Sequence, residues 1–80
     1  MTAQEAIRFI EGRRKKLDID PEMRPQSAER AIVQYKRNPN RPGRTQDRLA
    51  WIVTYGCAWG FVEVHVDDKR RKVLRVRRSM

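Results

Sequence analysis

The chain is poor in the residues that hold a small protein together by means other than a packed core. It has one Cys, so no internal disulfide can form. That Cys and a single His leave too few soft ligands for a structural zinc site. No apolar run approaches the ~20 residues that a membrane-spanning helix needs. Met1-Thr2-Ala3-Gln4 lacks the charged-then-apolar order of a signal peptide. There is no phosphate-cradling Gly loop, nucleophile elbow or paired-acid motif, which argues against an enzyme. These absences lead us to expect a soluble, cytoplasmic, non-catalytic chain without cofactor or metal. Acids are also scarce: ten Asp and Glu face nineteen Lys and Arg, a formal net charge of +9.

Eighty residues are enough for one domain, 1–80, and too few for two cores. Thr2-Ala3-Gln4-Glu5 has the form of a capping box, and behind it Ala3, Ala6, Ile7, Ile10 and Leu17 recur at helical spacing. The spacing predicts a helix over 3–17, weakened at Gly12 and ending in the cations Arg13, Arg14, Lys15 and Lys16, which suit its negative end. Pro21 and Pro25 mark 18–27 as a linker. Residues 28–37 fit a helix or a strand, the pair Ile32-Val33 and Tyr35 leaning towards strand. After the turn-rich segment 38–44 come three alternating runs, about 48–55, 61–67 and 72–78. In the last, Leu74 and Val76 read as inward and Val73, Arg75 and Arg77 as outward.

The expected fold is therefore α+β, an N-terminal helix packed on a three- or four-stranded antiparallel meander. Its core would draw on Ile7, Ile10, Leu17, Val33, Trp51, Val53, Tyr55, Val62, Val64, Val66, Leu74 and Val76.

Several of these pieces together resemble a PepSY-type module. Ala3-Gln4-Glu5-Ala6-Ile7 is similar to the "x-E-E-A-I" that opens that family's helix. Trp51-Ile52-Val53-Thr54-Tyr55, Val62-Glu63-Val64-His65-Val66-Asp67 and Lys72-Val73-Leu74 resemble its successive strands. The family's turn glycine is replaced by Arg71. The resemblance implies a strand at 30–36 and a small non-catalytic module that binds a protein or peptide. Such modules are commonly exported or membrane-attached, and no such signal is present in these residues.

The basic surplus is clustered. Lys69, Arg70, Arg71, Lys72, Arg75, Arg77 and Arg78 fall within ten residues with no acid among them, and Lys36, Arg37, Arg41, Arg44 and Arg48 form a second group. In an up-down meander the loop after residue 36 and the turn at 67–72 lie at one end. The two clusters would then converge on one rim, extended along a sheet face by Arg75 and Arg77. Such a rim fits an acidic protein or peptide, or alternatively the phosphates of a nucleic acid. Trp59, in the opposite turn, is a candidate partner contact or a lid over the core edge. Asp18, Asp20 and Glu22 read as linker solvation or partners of Arg24, and Glu63 and Asp67 as cross-strand partners of Arg75 and Arg77. Cys57 could be activated only by His65. Oligomeric state is not legible.

Overall fold

In a computed structural model, which describes residues 1–36, 43 and 45–79, two short helical pieces precede a four-stranded antiparallel sheet in the order β1-β2-β3-β4. The elements are α1 (Ala3–Glu11), α2 (Arg14–Leu17), β1 (Arg24–Tyr35), β2 (Gln46–Cys57), β3 (Gly60–Asp67) and β4 (Val73–Ser79). The α+β meander is as expected, and residues 28–35 are strand. Among the described residues no helix is long and apolar enough to cross a membrane.

Helix α1 starts at the capping box. The Thr2 hydroxyl accepts from the Glu5 amide at 3.2 Å, and the Thr2 amide donates to Glu5 Oε1 at 3.1 Å. The Thr2 amide and then its hydroxyl hold the Glu5 carboxyl below its ordinary range. The helix does not run unbroken to residue 17. It ends at Glu11, and Arg13 leaves helical geometry at φ −126°, ψ 17°. Gly12 is the weakest helix former in the segment, and the four cations behind it repel one another along any continued helix. Asp18 closes α2 in the left-handed region at φ 56°, where its amide and that of Ile19 return to Lys15 O and Arg14 O.

The expected linker is instead packed. Ile19 and Met23 are buried, and Arg14 gathers the backbone around them: its Nη2 donates to Asp20 O at 2.8 Å and Met23 O at 2.7 Å, while Nη1 pairs with Glu11 at 2.9 Å. Asp20 Oδ1 accepts from the Glu22 amide at 2.8 Å, and Arg24 donates to Pro21 O rather than to an acid. Strand β1 consequently begins at Arg24, four residues before the expected start. Pro25 is tolerated because β1 is an edge strand with a bulge at Gln26. The Gln26 amide lies over Gly56, where a Cβ would come within 2.6 Å of it.

Under the helices the sheet presents three rows across its strands: Arg30–Trp51–Val66–Val73, Ala28–Val53–Val64–Val76, and Pro25–Tyr55–Val62–Arg78. Ala6, Ile10, Ile19 and Met23 close over them, and each fully buried Val, Ile or Met contributes about 1.5–3 kcal/mol. Two core expectations are corrected. Leu74 is the extra residue of a bulge against β3, so Val73, not Leu74, shares the inward side with Val76. Val33 alternates onto the opposite, open face of β1. Ala6, Ile19 and Met23 join a core from which the expected set had omitted them.

Candidate interaction site at the β4 edge

The turn between β3 and β4 is built by Asp67. Its amide donates to Lys72 O at 2.8 Å, its carbonyl accepts from the Arg71 amide at 3.1 Å, and its Oδ1 accepts from the amides of Lys69 and Arg70, each at 2.9 Å. Burial pushes the Asp67 carboxyl up, but the amides of Arg70 and Lys69 and the charges of Arg48 and Arg70 outweigh it and hold it below its ordinary range. Arg71 takes the turn's left-handed position at φ 50°, the backbone that a glycine adopts freely. Its guanidinium reaches Glu5 Oε2 at 3.2 Å.

That turn and the end of β1 do lie together. Lys36 follows Tyr35 directly, and Lys72 Nζ sits 5.7 Å from the Tyr35 ring centre. Arg37, Arg41 and Arg44 fall outside the described residues, so the rim rests on Lys36, Lys69, Arg70, Arg71 and Lys72. Lys69, Arg70 and Lys72 are exposed and form no ion pair among the described residues.

Arg75 and Arg77 project onto the open face opposite His65 and Glu63, exposed as expected. The ion pairs assigned to them do not form. Glu63 Oε1 bonds His65 Nε2 at 2.7 Å within its own strand, and Asp67 is committed to the turn amides. Both arginines therefore remain available beside β4. Among the described residues this strand pairs only with β3; its bulge is at Leu74, and the pairing is regular from Arg75 to Ser79. The other edge, β1, is blunted at its start by Pro25 and its bulge and is regular from Ser27 to Tyr35.

On the helix-covered side, a groove of about 460 Å³ separates the α1–α2 junction from the start of β4. Phe9, Leu17 and Val73 line it with apolar surface beside Arg13, Lys16, Arg71 and Lys72, with no acid in the lining, and the Lys72 ammonium itself is directed to Tyr35 on the open face. Arg13 stacks on the Phe9 ring, its guanidinium carbon 3.8 Å from the centroid. Beyond the groove Arg78 ties β4 to the end of α2, donating to Asp18 O at 2.9 Å and to Leu17 O. Sequence reasoning assigned Arg13 and Lys16 only to the helix dipole. The one available signal was Gly12, whose break turns both side chains out of the helix line towards β4.

Trp59 stands in the β2–β3 turn, at the end away from the basic rim, and is 45% exposed. It lines a separate hollow of about 320 Å³ with Ile19, Met23 and Val62, so it and the rim do not form one site. Cys57 packs towards the core while His65 lies on the open face, which separates the only thiol from the only imidazole. Among the described residues no three His, Cys, Asp or Glu side chains gather as a metal site. No protein-family model, curated protein sequence or solved structure matches this chain.

Proposed function

We propose that the chain is a non-catalytic interaction module, PepSY-like in plan, that takes an acidic segment of a partner protein as a fifth strand against β4. The observation that carries this reading is a regular strand edge that is unpaired among the described residues, with cations on both of its sides. Arg75 and Arg77 flank it on the open face, and Arg13 and Lys16 line the groove under the helices at its Val73 end. An added strand sends alternate side chains to the two faces, so cations on both sides suit it. They suit a single phosphate backbone less well, because a nucleic acid would meet one side at a time. Like charges brought edge to edge repel, so the same arginines disfavour pairing of β4 with β4 of a second copy.

The test is fluorescence anisotropy with a labelled extended peptide rich in Glu, titrated at about 50 and 200 mM salt alongside single- and double-stranded DNA and RNA. Peptide binding that is lost in Arg75→Glu/Arg77→Glu, and lost when alternate peptide amides are N-methylated, supports strand addition at this edge. Binding of nucleic acid alone, or peptide binding indifferent to N-methylation, overturns it.

A further inference from the structure

Strand β1 forms the other edge of the sheet, and its charge is unlike that of β4. Between Ser27 and Tyr35 it carries one acid, Glu29, and one base, Arg30, so this stretch is neutral in a chain of net charge +9. Ile32 follows them, 71% exposed and more exposed than any other large hydrophobic residue described. The proline and the bulge that protect this edge lie before the stretch.

The direction of its free backbone groups follows from β2. Leu49 O accepts from the Asp68 amide at 3.0 Å, so Leu49 and its alternates turn their backbone groups towards β3. Ala50, Ile52 and Thr54 therefore bond to β1, through their partners Ala31, Glu29 and Ser27. That leaves the N–H and C=O of Ala28, Arg30, Ile32 and Gln34 directed outwards, with no strand beside them among the described residues.

A neutral edge gives a strongly charged segment no electrostatic reason to bind. It is instead where two copies of a basic chain can meet with least repulsion. The stretch is also self-complementary about a two-fold axis. In an antiparallel pair centred on Ala31, all of Ser27–Tyr35 pairs with itself: Arg30 lies opposite Ile32 of the second copy, Glu29 opposite Val33, and Ala28 opposite Gln34. No like charges oppose one another. Each Ile32 is covered by the stem of the other copy's Arg30 and, on the diagonal, by the other Ile32. A pair centred on Glu29 or Arg30 would set like charges face to face, and one centred on Ile32 would be shorter.

We infer that β1 pairs antiparallel with β1 of a second copy about Ala31, joining two four-stranded sheets into one of eight strands. The contact uses the same strand of both copies, so assembly through β1 stops at the dimer. It stands independently of what β4 binds, and it leaves a β4 edge open at each end of the joined sheet.

The test is sedimentation velocity of the full chain from about 1 to 500 µM at about 50 and 200 mM salt. A dimer is expected whose fraction rises with concentration and also with salt, which screens the repulsion between two copies of charge +9. Ile32→Lys alters an exposed side chain and sets a cation opposite Arg30 of the other copy. It is expected to weaken the dimer about tenfold or more with an unchanged melt of the monomer, whereas Arg75→Glu/Arg77→Glu is expected to keep the dimer. Facing residues of a non-hydrogen-bonded pair lie within disulfide reach, so Ala31→Cys/Cys57→Ser is expected to give a covalent dimer under oxidised glutathione, and Gln34→Cys/Cys57→Ser is not. A monomer at every concentration would overturn the inference. So would a dimer indifferent to Ile32→Lys, or one that Ala31→Cys fails to cross-link.

Discussion

Arg71 reaches Glu5 at 3.2 Å from a backbone held at φ 50°, so the β3–β4 turn is tied to the N-terminal cap of α1 by a residue in a conformation that disfavours its own side chain. Glu5 in turn accepts from the Thr2 amide. The cap, the turn and the basic rim thus form one connected unit at one end of the sheet.

The left-handed backbone gives a clean comparison. Arg71→Gly and Arg71→Ala both remove the guanidinium, so their difference isolates the backbone. Glycine is expected to be the more stable of the two by about 1 kcal/mol in chemical denaturation, the reverse of an ordinary position. Equal stabilities would mean that the turn relaxes to another conformation at no cost.

Asp67 should make the fold sensitive to acid. Its carboxyl titrates lower in the folded chain than its ordinary value of 3.8. The stabilisation it gives is therefore present in full above that ordinary value and is lost as pH falls through the lower folded value. Asp67→Ala removes the acceptor for the Lys69 and Arg70 amides and should cost about 1–2 kcal/mol at pH 7. The gap to wild type should shrink as pH falls through the lowered folded value, where the wild-type carboxyl is itself protonated. A gap that stays constant would show that the charge of Asp67 is immaterial.

Tyr55 titrates in the opposite direction. Burial, reinforced by the charge of Glu11 and opposed by Arg14, pushes its hydroxyl from 10.0 up to about 12. The neutral phenol is thus favoured by folding, and that contribution is present below pH 10 and disappears as pH rises through about 12. The hydroxyl is buried and has no hydrogen-bond partner among the described residues. Tyr55→Phe should leave stability at pH 7 unchanged or raise it by up to about 1 kcal/mol, and should flatten the alkaline limb. A loss of more than that would point to a partner that the hydroxyl does have.

Arg14 is expected to matter through geometry rather than charge. Its guanidinium bonds two carbonyls and a carboxylate at once, which a lysine cannot reproduce. Arg14→Lys should cost about 1–2 kcal/mol in thermal or chemical denaturation. A conservative outcome within error would show that the 18–23 segment is held by Ile19 and Met23 alone.

Val64 lies in the middle row between Val53 and Val76, fully buried. Val64→Asp places an unpaired charge there and should abolish the cooperative melt. A melt close to wild type would reverse the assignment of sheet faces.

Much of this architecture is legible in the residues because local signals agree. The Thr2–Glu5 box, the alternation of Val62, Val64 and Val66, and the run Trp51, Val53, Tyr55 each specify an element and a face. Signals that depend on one residue out of step were not legible. The Leu74 bulge moves Val73 inward, and alternation alone has no means of placing an extra residue. Two prolines mark 18–27 as a linker, yet Ile19 and Met23 are drawn into the core because Arg14 satisfies the carbonyls between them. On the candidate site, the convergence of Lys36 with the 69–72 turn follows from up-down topology. The groove does not, because Arg13 and Lys16 face β4 only once the helix breaks at Gly12. The pairing of Glu63 and Asp67 with Arg75 and Arg77 failed for a local reason: His65 and the turn amides lie closer.

The central claim is that β4 is the docking edge, and amide hydrogen exchange tests it most directly. Exchange is read residue by residue with and without the Glu-rich peptide. The account predicts that protection rises at alternate amides of Val73–Ser79, whose outward groups would gain partners, while β1 is unchanged. Protection gained along β1 or across the open face, with the β4 amides unaltered by saturating peptide, would contradict it.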